Sequence, residues 1–281
     1  MPSIFKNMSA AITIDATPAG RRERLEPTSL KTLGIDLSAN PSRTGACQVD
    51  WSAGTVSFLG PAATDDLLVA AAVASDMTAI DVPLGWPDGF VEAIVAHHQG
   101  GPWPPLSVAP PADRLPLRYR LTDRVVMAGG GRPLSVSSDL IGVAAMRGAR
   151  LQHLLLAAGV PVDRSGLTGR VVEAYPAAAL RAWGLVSSRY KGRVHAAACR
   201  SLAGELAGQC GELGRAAAVA LEGCDDNRLD AFVCALAARA VLAGLTTRPA
   251  AEQADVARRE GWIHVPTAGV AQIAGAKNPL P

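Results

Sequence analysis

Short apolar runs that stop at an acid recur along this chain. Leu33-Gly34-Ile35 ends in Asp36, and Met77-Thr78-Ala79-Ile80 ends in Asp81, just before Val82-Pro83. Val171-Val172 ends in Glu173, two residues ahead of Tyr175-Pro176. Runs of this length, bounded by turn-forming residues, read as buried strands. Thr44 to Val49 and Thr55 to Leu59 read as two further strands, joined by a turn at Ser52-Ala53-Gly54. Asp65 to Ser75 reads as a short apolar helix with an acidic first turn. The predicted order is a three-stranded meander, a helix, a fourth strand parallel to the first, and a fifth strand over Gly169 to Ala174.

Helical patterns dominate the rest. One runs from Ser138, as cap, to Ala158, with Gly159 ending it. Pro176 opens a short helix through Trp183, since proline is tolerated in a first turn. His195 to Gln209, Leu213 to Leu221 and Asp226 to Leu245 follow, and Glu260 to Val265 is a closing strand or extended tail. The predicted organisation is a flexible extension over 1–29, a domain over 30–268 and a tail over 269–281. Residues 83–137 read as an irregular Pro/Gly/Arg-rich insertion in which only Gly89 to His98 looks helical. That insertion carries Arg114, Arg118, Arg120, Arg124 and Arg132 against Asp113 and Asp123, a local basic excess.

Composition narrows the function classes. The 281 residues are 49% hydrophobic and 19% charged, so a sizeable core is expected and global disorder is not. A formal charge of +2 gives no general electrostatic case for nucleic acid, so any such case is local. The 5 cysteines include no CxxC pair, which argues against a zinc site or a disulfide framework and for reduced thiols in the cytoplasm. No uncharged run is long enough to span a membrane.

The chemistry lies in the acids. Three strand ends and one helix bring Asp36, Asp81, Glu173, Asp226 and Asp230 toward one point, and carboxylates crowded together repel unless a cation or a shared proton holds them. Magnesium or manganese is the expected cation, since hard ions take oxygen ligands. Asp36, Asp81, Asp226 and Asp230 are the candidate ligands, with Asp36 central. Asp226 and Asp230 are four apart and share a helix face, which continues through apolar Val233, Cys234 and Ala237. Asp225 reads as a helix cap. Asp36 and Asp81 each also suit a strand-end turn, and Glu173 also suits a pair with a nearby arginine. Arg120, Arg124 and Ser38 are the candidates for holding a substrate phosphate, with Asp123, in the RLTD block, orienting Arg120.

The blocks GIDLSANPSRTGAC, AIDVPLGWP, RLTDR, VVEAYPAAALRAWG, DDNRLDAFVCALAA and EGWIHVP, in this order, resemble the domain-of-unknown-function 429 family. Its members are described as predicted nucleases of the ribonuclease H-like fold. The resemblance covers about Leu33 to Pro266 and implies an acidic catalytic site at Asp36, Asp81, Glu173 and Asp230, with Asp226 beside it. The strand and helix order independently suits an α/β, ribonuclease H-like mixed five-stranded sheet flanked by helices. The expected activity is hydrolysis of a nucleic-acid phosphodiester by a two-metal mechanism. The competing expectations are an actin-like or sugar-kinase-like phosphotransferase, and a non-catalytic binding module on the same frame.

Overall fold

The computed structural model describes residues 29–101, 103 and 114–277. Residues 1–28 of the predicted 1–29 extension and most of the run GGPWPPLSVAPP lie outside the described residues. Five strands form one mixed sheet: β1 (Lys31–Asp36), β2 (Gly45–Asp50), β3 (Thr55–Phe58), β4 (Met77–Asp81) and β5 (Val171–Glu173). Their spatial order is β3-β2-β1-β4-β5. β2 pairs antiparallel with both β1 and β3, whereas β4 lies parallel to β1 and β5. The fold is α/β, an open mixed sheet flanked by helices, consistent with a ribonuclease H-like arrangement.

The two sheet faces carry different helices. On one face α1 (Asp65–Val73) and α5 (Gly142–Ala157) cover Leu33, Ile35 and Ile80. On the other, α9 (Asp226–Leu242) lies over β1, β2 and β4 and is buried from Leu229 through Val241. A helix that is apolar on every side belongs in an interior. Behind it stand α6 (Pro176–Ala182), α7 (Ala196–Gln209), α8 (Gly214–Ala220) and α11 (Val270–Ala274). Fully buried Phe232 and Leu236 each contribute about 1.5–3 kcal/mol by leaving water.

Two glycines let α9 approach the sheet closely. A Cβ at Gly34 would collide with the carbonyl oxygen of Ala231 and the amide of Ala235, and one at Gly45 would collide with the Asn227 carbonyl. Gly45 sits opposite Asp36 in the β1–β2 register, so the helix also lies close where β1 ends in its acid. Because backbone blocks the added methyl, Gly34→Ala forces the helix outward. It is expected to cost at least about 1–3 kcal/mol, the usual range for overpacking. Urea unfolding of the purified variant reads this directly; an unchanged midpoint contradicts the close packing.

Several predicted boundaries shift. Among the described residues of the 83–137 region stand α2 (Asp88–His98), α3 (Leu115–Arg118) and α4 (Leu121–Ala128), where only the first was expected as a helix. α4 escapes a periodicity search because it is short, and it is held by Asp123, whose carboxylate accepts from the Arg120 amide at 3.0 Å. α5 begins at Gly142 rather than Ser138, because the Asp139 carboxylate accepts from the Ser135 amide at 2.7 Å and holds a turn there. α10 (Ala254–Glu260) precedes the EGWIHV segment, which runs extended beside β5 through a single parallel bridge, Glu173 to Ile263. α11 buries Val270 and Ile273, so residues 270–274 belong to the packed body rather than to a tail. Among the described residues no helix is long and apolar enough to cross a membrane.

Candidate metal centre

Asp36 and Asp81 end adjacent parallel strands and are register partners. Their side chains share the α9 face, because successive strand residues alternate between faces and Gly34, two residues before Asp36, packs on α9. Asp230 is fully buried on α9 and meets them from above. One carboxylate oxygen from each of Asp36, Asp81 and Asp230 lies within 4.8 Å of the others. Asp226 is half-buried one turn earlier on α9, outside this triad but close enough to act on the charges of Asp36 and Asp230. Asp225 is the helix cap: its carboxylate accepts from the Arg228 amide at 2.9 Å.

The triad is electrostatically loaded. Burial, then the negative charges of Asp81 and Asp230, push the Asp36 carboxyl well above the usual carboxylate range. Burial also pushes Asp81 up to about 7; Lys191 opposes this, while Asp230 and Glu173 add to it. Asp230 is raised by burial as well, partly offset by Lys191 and Tyr190. The Tyr190 hydroxyl donates to Asp230 Oδ1 at 2.8 Å, and the Lys191 ammonium pairs with Asp230 Oδ2. Burial alone would lower the Lys191 pKa, but Asp230 and Asp81 raise it, so this lysine stays charged. Neither Tyr190 nor Lys191 stands out in the sequence SSRYKG, where a lysine before glycine reads as an ordinary solvated loop residue. Here Arg189 takes a left-handed backbone conformation (φ 59°), uncommon for a residue with a Cβ, and Tyr190 after it is buried.

Glu173 does not join the triad. Its register partner on β4 is Ile80, not Asp81, so it projects to the opposite face. There it receives Nη1 and Nη2 of Arg120, both at 2.7 Å, and the Leu84 amide at 3.0 Å. Asp123 takes Nε and Nη2 of Arg120 at 3.1 and 2.9 Å, and the Glu260 carbonyl takes Nη1 at 3.1 Å. All five guanidinium N–H groups are therefore committed within the protein. Burial opposes the charge on Arg120, but Glu173 and Asp123 outweigh it and hold the arginine protonated. The expected phosphate role of Arg120 is thus corrected: it is a buried structural cation with no free donor. Asp123 does orient it. Glu260 adds to the same junction, accepting from the Asp88 and Leu121 amides at 2.8 and 2.6 Å and so satisfying the first turns of α2 and α4.

The other two phosphate candidates stand apart from the acids. Arg124 is exposed on α4, whose buried residues are Thr122, Asp123 and Val126. Ser38 is tied into the turn after β1: its hydroxyl accepts from the Asn40 amide at 3.3 Å, and its carbonyl accepts from Arg147 Nη1 at 2.5 Å. Arg147, from α5, also reaches Thr44 Oγ1 at 2.7 Å and Asp65 at 2.8 Å, and so fixes the loop leaving Asp36.

A cavity of about 380 Å³ opens over the cluster. Asp36, Asp81 and Lys191 line it, together with Arg120, Asp123 and Glu173 and the apolar Val82, Leu134 and Ile141. The family model described as "Protein of unknown function (DUF429)" matches residues 34–254. The chain belongs to the DUF429 family. The matched span includes the triad, Lys191, Arg120, Asp123 and Glu173, while Glu260, which completes the Arg120 junction, lies beyond it. Comparison with curated proteins and with solved structures returns no match.

The donor set suits a hard divalent cation. It is all oxygen, one carboxylate from each of three residues, with the Lys191 ammonium paired to Asp230 Oδ2 as the cation already present.

Proposed function

We propose that this DUF429 chain is a divalent-metal-dependent hydrolase that cleaves nucleic-acid phosphodiester bonds. The observation that carries the reading is the convergence of the Asp36, Asp81 and Asp230 carboxylates within 4.8 Å at the end of two parallel strands. Asp36, Asp81 and Asp230 would hold an ion, and Asp226 is the acid left for a second. When bound, magnesium or manganese supplies a Lewis acid for phosphoryl oxygens. Asp36, central in the sheet, would be the main ligand of such an ion. Tyr190 keeps Asp230 oriented through its hydroxyl. Lys191, half-exposed at the cavity wall, offers a mobile positive charge to a substrate oxygen. The apolar residues of the lining, Val82, Leu134 and Ile141, suit a base or sugar face. The buried, unpaired thiols support a cytoplasmic protein.

A second reading has its own observation. Lys191 already supplies one cation to the acids, so the cluster can serve a non-catalytic binding module with its charge partly neutralised from within. The phosphotransferase reading has less support, since a single five-stranded sheet is present among the described residues.

The pH dependence of metal binding tests the proposal. Ligating carboxylates must be ionised, and burial holds the proton on Asp81 up to about 7. Manganese affinity is therefore expected to climb as pH rises from 5.5 to 8, with proton uptake by buffer at pH 6 that fades above 7. Isothermal titration in buffers of different ionisation enthalpy reads both, and cleavage of a labelled oligonucleotide should follow the same rise. A flat affinity across that range removes the basis of the proposal.

A further inference from the structure

A second cavity, of about 320 Å³, adjoins the one over the acids; Tyr175 and Ala177 line both. Arg132, Arg181, Ser187 and Ser188 line it, and no carboxylate does. Most other arginines near the site are spoken for. Arg120 and Arg147 are paired with acids, and Arg259 with Asp88. By contrast, the guanidinium groups of Arg132 and Arg181 make no hydrogen bond or salt bridge to any described residue, and neither do the Ser187 and Ser188 hydroxyls. The framework under them is nevertheless fixed. The Tyr175 hydroxyl donates to the Arg132 carbonyl at 3.0 Å, tying this loop to the end of β5. Arg181 sits on α6 four residues after Ala177, on the same helix face. Its guanidinium lies against Gly130, near enough that a Cβ there would come within 2.8 Å of Nη2.

We infer that this cavity is a phosphate subsite: Arg132 and Arg181 clasp a phosphate of the substrate next to the one presented to the acidic cluster. The inference rests on the proposed nucleic-acid hydrolysis for the identity of the substrate. Two unpaired guanidinium groups in one acid-free cavity repel each other and attract an anion, and each fork can bind two phosphate oxygens. The placement also answers an electrostatic need. The acids repel a polyanion from the cavity over them, whereas a positive subsite across Tyr175 draws the chain in and sets its register. This takes over the phosphate-holding role that the sequence suggested for Arg120.

Binding, not cleavage, tests this. The probes are a 3′-labelled thymidine octamer lacking terminal phosphates and thymidine 5′-monophosphate, each titrated by anisotropy or calorimetry in EDTA and in manganese. Arg132→Ala/Arg181→Ala is expected to weaken octamer binding at least about tenfold. It should also flatten the slope of log K against log salt by about 0.7 for each single-strand phosphate that is no longer neutralised. Arg132→Lys/Arg181→Lys should keep the slope and lose only part of the affinity. Loss confined to the monophosphate assigns the subsite to a terminal phosphate, and loss with the octamer assigns it to the internal backbone. Unchanged affinity and slope for both probes overturns the subsite. Both arginines are exposed, so an unchanged melting temperature is expected; if the double variant unfolds, Arg181→Gln alone serves. Arginine-dependent binding without cleavage would keep the subsite and refute the hydrolysis.

Discussion

Asp81→Asn is expected to abolish manganese binding and any metal-dependent cleavage while leaving the protein folded. The affinity loss should be roughly 100-fold or more, because even an outer partner of a metal ligand is worth about 10–100-fold. The stability of this variant carries a second, opposite signature. In the metal-free protein burial raises the Asp81 pKa to about 7, above its unfolded value, so the folded state holds the proton more tightly. Ionising Asp81 therefore costs the folded state stability as pH climbs from the ordinary carboxylate range through 7. Asparagine escapes that cost. In EDTA the variant should melt at or above the wild-type temperature at pH 8 and converge with it near pH 5. Added manganese should stabilise only the wild type, by mass action. A variant that melts far below wild type at pH 8 would mean that Asp81 is a structural acid, and the metal reading would lose its main support.

Arg120→Met should produce the largest loss of stability. The arginine is 1% exposed, and its removal leaves Glu173 and Asp123 buried without their cation. Breaking a buried ion pair from one side costs about 3–5 kcal/mol. The sign of the pH effect distinguishes this from lost packing. Without the guanidinium, buried Glu173 binds its proton more tightly in the folded state, so the deficit should shrink as pH falls toward 5 and grow above it. Adding Glu173→Gln and Asp123→Asn to Arg120→Met should recover part of the loss. Equilibrium unfolding in urea at pH 5 and pH 8 measures both effects, and a deficit that is the same at both pH values contradicts the charge account.

The contrast between these two residues marks what the sequence makes legible. Apolar runs ending at Asp36 and Asp81 are visible because strands of this length, broken by turn residues, have few other readings. Asp230 is visible because an acid in the middle of an apolar helix is not a cap. Glu173 looks equivalent to Asp81 in the sequence, since both close a short apolar strand. What separates them is register: Ile80, not Asp81, faces Glu173, and a shift of one residue turns the side chain to the other face. No periodicity within one strand reports its alignment with another. The RLTD block hides its role for a related reason. Its arginine looks like a surface cation in a loop until β5 and the EGWIHV segment, far apart in sequence, close over it. Lys191 and Tyr190 lack a local pattern altogether. The one clue to Lys191 is indirect, since converging acids need a positive neighbour. The close approach of α9 is legible only afterwards, in the two glycines, Gly34 and Gly45, that face it.

The central claim is that Asp36, Asp81 and Asp230 together hold a divalent cation. Anomalous diffraction from manganese-soaked crystals at pH 8 tests it most directly. The predicted result is an anomalous peak bounded by those three carboxylates, with the Lys191 ammonium drawn away from Asp230 Oδ2. The contradicting result is no peak between them at millimolar manganese, with Lys191 still seated on Asp230.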